Sequence, residues 1–315
     1  MNLASTPTLI EPSDRVEWER RRKELEGGGK KHSPKGSKKR RRKSPLDVLI
    51  QVFGVAIRAF GLYERGLRNA RDLKLTSLEL AFEDLPAEFD GYTILQLSDL
   101  HVDALPENIR AAAKLIPDTD VDLCVLTGDY RHRVSGPFDH ILPELQNLVG
   151  RIKTHDGLLG ILGNHDTADM VAPLEDLGIA FLINETLTIR RGDAEIHLSG
   201  TDDVHYFYSD AATNSLRSSP RGFKIALVHS AEIATVAAEA GFSLYLAGHS
   251  HGGQVALPGG RPIVTRMACN RRYASGLWKC GRMTGYTSTG VGVTSLPVRF
   301  NTRGEIVLIT LRSKR

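Results

Sequence analysis

The chain of 315 residues is 41% hydrophobic and 25% charged, with 30 glycines and 14 prolines, a globular composition that excludes collagen-like, mucin-like and low-complexity proteins. Its net charge of +4 is unevenly distributed, because residues 1–45 hold 14 basic and 6 acidic side chains while the remainder carries a net charge of −4. Residues 46–315 therefore have no general electrostatic attraction for nucleic acid, and we expect no specific nucleic-acid partner. Three cysteines without a CxxC pair argue against a disulfide framework and a zinc ribbon.

The first 45 residues are predicted to be a disordered basic tail. They contain Gly27-Gly28-Gly29 and the run Lys38–Lys43, which consists entirely of lysine and arginine. Such a polar, like-charged segment buries too little apolar surface to offset the entropy of folding. The stretch Arg15–Glu26 is compatible with a short charged helix, but nothing apolar enough accompanies it to hold it in place.

Residues 46–68 are predicted to form an amphipathic helix at a membrane interface. Their polar or small residues recur at spacings of three and four, and most other positions up to residue 65 are large and apolar. The apolar stretch of about 17 residues gives about 25 Å of helix, which is short for a hydrocarbon core of about 30 Å. We therefore expect an in-plane helix rather than a span, with residues 38–62 on anionic head groups at the cytoplasmic face of the inner membrane. The alternative is that this helix packs on its own catalytic domain.

Residues 69–315 are predicted to form one catalytic domain with an α/β sheet core, because short β-rich runs alternate with helical stretches. No Walker phosphate loop is present in the sequence. The predicted strands are Tyr92–Ser98, Val121–Thr127, Leu158–Leu162, Glu195–Ser199, Phe223–Val228, Ser243–Ala247, Gly285–Ser288 and Ile306–Leu311. The predicted helices are Glu107–Ile116, Phe138–Val149, Met170–Leu177 and Ala231–Ala240.

Five polar clusters follow predicted strands, and strand ends are where α/β sheets place ligand sites. They offer carboxylate, amide and imidazole groups, a mixture that suits manganese, iron or zinc better than calcium. Glycines beside Asp129, Asn164 and His249 let these side chains approach an ion without an intervening Cβ. The clusters are Asp99-Leu100-His101, Gly128-Asp129, Gly163-Asn164-His165-Asp166, His229 and Gly248-His249-Ser250-His251.

The order of these clusters resembles the calcineurin-like metallophosphoesterase family, whose signature is D-x-H, G-D, G-N-H-[DE], H and G-H-x-H. The resemblance covers residues 90–311 and, more narrowly, is similar to the membrane-associated branch of bacterial phosphodiesterases that includes YkuE- and YaeI-type proteins. Residues 91–101, 248–254 and 297–301 carry the narrower resemblance. It implies a four-layer α/β/β/α sandwich, in which two sheets pack face to face with helices outside.

The resemblance also implies two divalent metal ions, with manganese favoured over iron and zinc. Asp129 would bridge the two ions. The ligands of the first ion would be Asp99, His101, Asp129 and His251. The ligands of the second ion would be Asp129, Asn164, His229 and His249.

The same resemblance assigns catalytic roles to His165 and Asp166. Two cations that share a carboxylate can hold a bridging hydroxide at neutral pH, because their charge lowers the pKa of bound water. This hydroxide would be the nucleophile, and His165 would assist the leaving oxygen. Asp166 would orient the His165 imidazole and raise its basicity.

Three further residues near the clusters have no place in the family pattern. Arg131 and His132 follow Asp129, and we expect them either to contact a phosphate or to face solvent. Residues 201–208 are interpreted as a loop on the substrate side, in which His205 is a surface histidine.

The function that these features imply is metal-dependent hydrolysis of a phosphodiester or pyrophosphate bond in a lipid-linked or membrane-proximal substrate. A UDP-diacylglucosamine-like compound is one candidate, because some members of related branches hydrolyse its pyrophosphate. One alternative is a soluble phosphodiesterase that acts on cyclic nucleotides or other small diesters. Another is a non-catalytic binding scaffold, which the complete set of ligand positions opposes.

Overall fold

A computed structural model describes residues 12–28, 30–31, 39–40 and 45–314. All eight predicted strands are present, and short 3₁₀ turns precede three of the helices. In chain order the strands are β1 (Lys30–Lys31), β2 (Lys39–Arg40), β3 (Lys74–Phe82), β4 (Thr93–Leu97), β5 (Leu123–Leu126), β6 (Leu158–Gly160), β7 (Ile179–Phe181), β8 (Glu185–Arg191), β9 (Ala194–Gly200), β10 (Phe223–Leu227), β11 (Leu244–Ala247), β12 (Gly276–Cys280), β13 (Met283–Thr287) and β14 (Glu305–Ser313). The helices are α1 (Pro12–Gly27), α2 (Pro45–Ala59), α3 (Tyr63–Arg71), α4 (Pro106–Leu115), α5 (Leu142–Val149), α6 (Val171–Glu175), α7 (Asp210–Ser218) and α8 (Ala234–Glu239).

Twelve of the strands form two six-stranded sheets. The first has the order β3-β14-β4-β5-β6-β7, and the second has the order β12-β13-β11-β10-β9-β8. In each sheet the central strands run parallel, so their carboxyl ends meet at one edge. Polar residues that follow these strands are thereby collected at a common edge of the two sheets.

The alternation of side chains along each buried strand builds the layers. In β5, Leu123 and Val125 face the core between the two sheets, while Cys124 and Leu126 face the core beneath the outer helices. Helices α4, α5 and α6 cover the outer face of the first sheet, and α7 and α8 cover that of the second. The predicted four-layer α/β/β/α sandwich is confirmed.

The N-terminal segment differs from the predicted disordered tail, because residues 12–27 form α1 and pack on the domain. The Trp18 indole donates a hydrogen bond to Asp202 Oδ2 at 2.8 Å. The fully buried Arg22 guanidinium pairs with Asp202 and donates to the Asp166 carbonyl at 2.9 Å. The prediction of disorder is therefore wrong for residues 12–28. Of the basic run 38–43, residues 39–40 form β2, and the rest lies outside the described residues.

The predicted single helix at 46–68 is two helices, because the chain turns at Gly61 with a φ of +68°. Helix α3 belongs to the body: a Cβ at Gly66 would lie 2.8 Å from Val298 and Phe300, and Ala70 is fully buried. Helix α2 packs on the domain through Gly54 and Ile57, as the alternative expected.

The other face of α2 is solvent-exposed and apolar. The exposed fractions are 54% for Val48, 60% for Val52, 68% for Val55 and, just beyond the helix, 79% for Phe60. Among the described helices, none combines the length and the apolar character that crossing a bilayer requires. One part of the apolar surface of α2 thus packs on the domain, and the other part is exposed to solvent.

Candidate metal centre and active site

The predicted ligands meet at the common edge of the two sheets. The first sheet brings Asp99 and His101 after β4, Asp129 after β5, and Asn164 after β6, while the second sheet brings the remaining histidines after β10 and β11. All seven side chains are buried. The residues of the second sheet are His229, His249 and His251.

The backbone at this edge is strained at many of the ligand positions. Left-handed φ angles, which cost non-glycine residues energy, cluster at functional sites when the surrounding structure holds them. Five of the predicted ligands have such angles, between +38° and +70°: Asp99, His101, Asp129, His249 and His251.

Glycines allow the two sheets to approach at this edge. A Cβ at Gly163 would lie 2.6 Å from the Asp129 amide nitrogen, and one at Gly248 would collide with Ser98 and Asp99. The glycines that precede the ligands therefore permit a close approach between neighbouring loops, as well as a turn.

Four donor atoms of the first predicted set lie within 4.8 Å of one another. His101 Nε2 is 3.4 Å from Asp129 Oδ2 and 3.1 Å from His251 Nε2, which in turn is 3.3 Å from Asp99 Oδ1. The His101 ring is oriented by a 2.8 Å contact between Nδ1 and the Arg131 carbonyl. This buried set of two carboxylates and two imidazoles fits a divalent transition-metal ion.

Three residues of the second predicted set have buried polar atoms without a hydrogen-bond partner. Asn164 Oδ1, His229 Nε2 and both ring nitrogens of His249 are buried without a hydrogen bond. His229 Nδ1 donates to the Thr127 carbonyl at 2.7 Å, which leaves Nε2 facing Asp129 Oδ2, 3.4 Å away. Buried acceptors that converge without donors are costly unless a cation satisfies them.

Burial and neighbouring charges together set the protonation of these groups. Desolvation lowers the pKa of His101 to about 3 and the pKa of both His249 and His251 well below the ordinary value, which keeps their rings neutral. Burial also raises the pKa of Asp99 to about 7. Although burial acts in the same direction on Asp129, the neighbouring His229 and His165 hold its pKa well below the ordinary value. Neutral imidazoles and an ionised Asp129 are the forms that bind metal ions. His229 differs from the other histidines: although burial opposes its charge, Asp129 and Asp99 hold its pKa well above the ordinary value, so its ring must lose a proton before it binds a metal ion.

His165 lies beside this cluster with one ring nitrogen engaged. Its Nδ1 donates a hydrogen bond to the His132 carbonyl, and its Nε2 is 4.0 Å from Asp129 Oδ2. The ring therefore presents Nε2 to the metal-binding residues.

The predicted contact between Asp166 and His165 is wrong. The Asp166 carboxylate accepts hydrogen bonds from the backbone N–H groups of Asp129, Tyr130 and Gly163 at 2.7 to 2.9 Å. Asp166 thus binds the loop that carries Asp129 to the loop that carries Asn164. The sequence could not distinguish these roles, because the partner of a carboxylate depends on which loops meet in space.

Arg131 was expected either to contact a phosphate or to face solvent, and its position fits neither expectation. Its buried guanidinium donates to the carbonyls of His165 and Gly136 and to Thr167 Oγ1, so it neither contacts a phosphate nor faces solvent. The side chain of His132 lines the cavity in front of the cluster.

His205 is buried, which corrects the expectation of a surface histidine. Its Nδ1 is 3.0 Å from Glu232 Oε2, and its ring centroid is 4.2 Å from that of His249. His205 and Tyr206 line the same cavity of about 540 Å³ as the predicted ligands, so residues 201–208 do form a loop at this site. The pair was missed because Glu232 lies 27 residues from His205 along the chain, and no motif spacing connects the two residues.

Comparisons with known proteins agree with this geometry. The family model of the calcineurin-like phosphoesterases matches residues 92–253, which include all seven predicted ligands. The "uncharacterized metallophosphoesterase YkuE" of Bacillus subtilis (strain 168) is 31% identical over 245 residues, which cover 73% of this chain and 82% of that protein. The phosphodiesterase YaeI of Escherichia coli (strain K12) is 29% identical over 240 residues, which cover 73% of this chain and 84% of that protein. The chain therefore belongs to the calcineurin-like metallophosphoesterase family and is a metal-dependent phosphoesterase.

Proposed function

We propose that the protein hydrolyses a phosphodiester or pyrophosphate bond in a lipid-linked or membrane-proximal substrate, with two divalent ions, preferably manganese. The observation that carries the reaction is the buried cluster of donor atoms around Asp129. The exposed apolar face of α2 supports the membrane-proximal substrate. The proposal includes a peripheral position on the cytoplasmic face of the inner membrane, with the same helix in the head-group layer.

A second ion is supported by the atoms that lack partners. Asp129 lies between both donor sets, with Oδ2 3.4 Å from the Nε2 atoms of His101 and His229. Asn164 and His249 complete the second set with a buried carbonyl oxygen and two unpartnered ring nitrogens. Divalent ions held there supply positive charge that lowers the pKa of a bound water and stabilises the charge developing on a phosphoryl group.

Two further residues have separate roles in this proposal: His165 transfers a proton, and Asp166 positions the loops. His165 exchanges its proton with the substrate at Nε2, because Nδ1 is held by the His132 carbonyl. Asp166 keeps the loops of Asp129 and Asn164 at a fixed separation through three backbone hydrogen bonds. The cavity of about 540 Å³ in front of them is lined by polar and charged side chains and is large enough for a phosphoester group.

The test uses purified full-length protein, with metal content measured by elemental analysis and with hydrolysis of an aryl methyl phosphodiester. We expect two divalent ions per chain, and loss of activity on chelation that manganese restores. Asp129→Asn should reduce activity by more than the 10- to 100-fold that is typical of losing a ligand's hydrogen-bond partner, because Asp129 belongs to both donor sets.

Asp118→Asn is the matched control, because Asp118 is an exposed carboxylate, and it should retain metal and activity. Full activity after removal of all metal, or full activity of Asp129→Asn, would contradict the proposal. A protein that binds both ions and hydrolyses no diester would support the scaffold alternative.

A further inference from the structure

A second cavity, of about 260 Å³, adjoins the cavity of the metal-binding residues. Five residues line both cavities: His249, His251, Arg266, Thr294 and Ser295. The two spaces therefore share a wall, and on that wall are two predicted ligands and one guanidinium. We call the second space the apolar cavity, and its other walls decide what it can bind.

The walls of the apolar cavity come from three segments that are mostly hydrophobic. Helix α2 contributes Ile50 and Phe53, the loop after the last predicted ligand contributes Val264, and the loop before β14 contributes Leu296. These side chains offer neither donors nor acceptors. An apolar group that left water for this space would gain the free energy of hydrophobic transfer.

A polar side chain in the wall, Gln254, is occupied by backbone groups. Its Nε2 donates to the carbonyls of Thr294 and Leu296 at 3.1 and 2.9 Å, and its Oε1 accepts from the Thr294 amide. Gln254 thus fixes the 294–298 loop without presenting a free polar group to the cavity. The side chain of Gln254 therefore adds no unpaired polar group to the apolar part of the wall.

The apolar cavity reaches the exposed surface of α2 at its rim. Leu49 and Ile263 both line it and are 61% and 58% exposed. The exposed apolar face of α2, which includes Val52 and Val55, continues from Leu49. An apolar path therefore leads from the outer face of α2 to the wall that contains His249 and His251.

We propose that the apolar cavity binds the hydrocarbon chain of an amphiphilic phosphoester, whose phosphoryl group lies among the metal-binding residues. This inference rests on the proposed function and specifies the substrate class. Arg266 lines both cavities and donates to Ser295 Oγ at 3.2 Å, so its guanidinium lies beside the junction of head group and chain. A cavity of 150 Å³ holds a benzene molecule, so the apolar cavity accommodates about ten carbon atoms.

The test is a series of aryl alkyl phosphodiesters with methyl, butyl, octyl and dodecyl chains, assayed as monomers without vesicles. Each methylene that enters the cavity should raise kcat/KM by about two- to fourfold, and the rise should stop near ten carbons. Because no bilayer is present, partitioning into a membrane does not contribute to the series.

Two substitutions at Val264 should change the dependence of kcat/KM on chain length in opposite directions. Val264→Trp fills the cavity and should bring the ratio of octyl to methyl kcat/KM close to one, while Val264→Ala enlarges it and should move the plateau to longer chains. The urea midpoint and the metal content report whether each variant is folded. Leu277→Trp is the matched control, because Leu277 is 54% exposed on β12 and lies outside the cavity, and it should keep the wild-type series.

The outcomes separate this inference from the proposed function. If no diester is hydrolysed with manganese present, including the methyl compound, the proposed function fails. If the methyl diester is hydrolysed and chain length has no effect, or if Val264→Trp keeps the wild-type series, the hydrocarbon site is refuted and the phosphoesterase remains.

Discussion

The His165 imidazole is positioned to exchange a proton at a single nitrogen. Its Nδ1 is held by the His132 carbonyl, and its Nε2 faces Asp129 Oδ2 at 4.0 Å. General acid–base assistance contributes about 10²- to 10⁴-fold to turnover. We expect His165→Asn to lower kcat by this range, with a smaller loss for substrates with good leaving groups, while both metal ions remain bound.

This prediction is checked by kcat on an alkyl and a nitrophenyl diester, together with metal content by elemental analysis. His155→Asn is the control, because His155 is exposed and outside the site, and it should behave as wild type. If His165→Asn turns over the alkyl diester at the wild-type rate, His165 only supports its neighbour Asn164.

The sequence predicts the roles of some residues of the site and not of others. The clusters that contain the seven predicted ligands were found from short motifs, because glycine, aspartate and histidine directly after strands are typical of a ligand site at a sheet edge. The family resemblance then implied which residues of these clusters are ligands. Asp166, Arg131 and His205 were assigned wrongly or left open, because each acts through a partner from a distant segment. Motif spacing carries no information about such pairs.

At the scale of elements, α1 is attached to the active-site loops by one buried cation. The Arg22 guanidinium is paired with Asp202, lies 3.8 Å over the Phe207 ring and donates to the Asp166 carbonyl. Although burial opposes its charge, the carboxylates of Asp202 and Asp203 raise the pKa of Arg22. Removal of one partner of such a pair leaves a buried charge unpaired, at a cost of about 3–5 kcal/mol.

We therefore expect Arg22→Met to lower the free energy of unfolding by about 3–5 kcal/mol in urea titrations. Arg21→Met on the same helix is the matched control, since Arg21 is 69% exposed, and it should change stability by less than about 0.5 kcal/mol. Equal stability of the two variants would show that the contacts of Arg22 contribute nothing to the stability of the domain.

Strand β8 carries a carboxyl group that links stability to pH. Glu185, at its start, is buried beside Arg15 of α1, with Oε1 3.8 Å from Arg15 Nε. Burial raises the pKa of Glu185 from 4.5 to about 7, so the folded protein retains a proton that the unfolded chain releases between these pH values. Its contribution to stability is present below pH 4.5 and is lost as the pH rises to about 7.

Glu185→Gln should remove this contribution to the pH dependence and make the protein more stable than wild type above pH 7. The measurement is the urea midpoint at pH 4.5 and at pH 8 for both proteins. Glu195→Gln, at the exposed start of β9, is the control and should follow wild type. Parallel pH dependences of Glu185→Gln and wild type would rule out the buried carboxyl as the cause.

The strands that the sequence did not reveal are the edges of the two sheets: β3, β7, β8 and β12. Central strands are buried on both faces and show continuous apolar runs, which are visible in the sequence. Edge strands have one exposed side, and β3, β8 and β12 mix charged with apolar residues, as in the alternating exposure along β3. Strand β7 is apolar but only three residues long. The sequence therefore predicted the central strands of both sheets correctly and did not reveal the edge strands.

At the scale of the whole molecule, the N-terminal segment contains parts of the folded domain as well as the surface proposed to bind the membrane. Helices α1 and α3 are parts of the folded domain, through Arg22 and through Gly66 and Ala70. Deletion of residues 1–68 would therefore remove structural contacts together with any membrane contact. Point substitutions on the outer face of α2 test membrane binding without this complication.

The last prediction is that full-length protein binds anionic vesicles through the outer face of α2. Val52 and Val55 are 60% and 68% exposed, and burial of each side chain in a bilayer interface contributes about 1.5 kcal/mol or more. We expect Val52→Asp with Val55→Asp to weaken vesicle binding by about 100-fold, measured by co-sedimentation. High salt should weaken binding of the wild type only in part, because apolar burial is not screened.

Leu277→Asp is the control for this experiment, because it places the same charge on an exposed apolar residue of β12, and it should bind vesicles like wild type. The α2 variant should keep its hydrolysis of a soluble methyl diester, since all predicted ligands lie after residue 98 and neither valine lines the cavities. It should lose turnover of a lipid-linked diester presented in bilayers. Full-length protein that stays in solution beside anionic vesicles at low salt would refute membrane residence, because apolar burial and charge attraction would then both be absent.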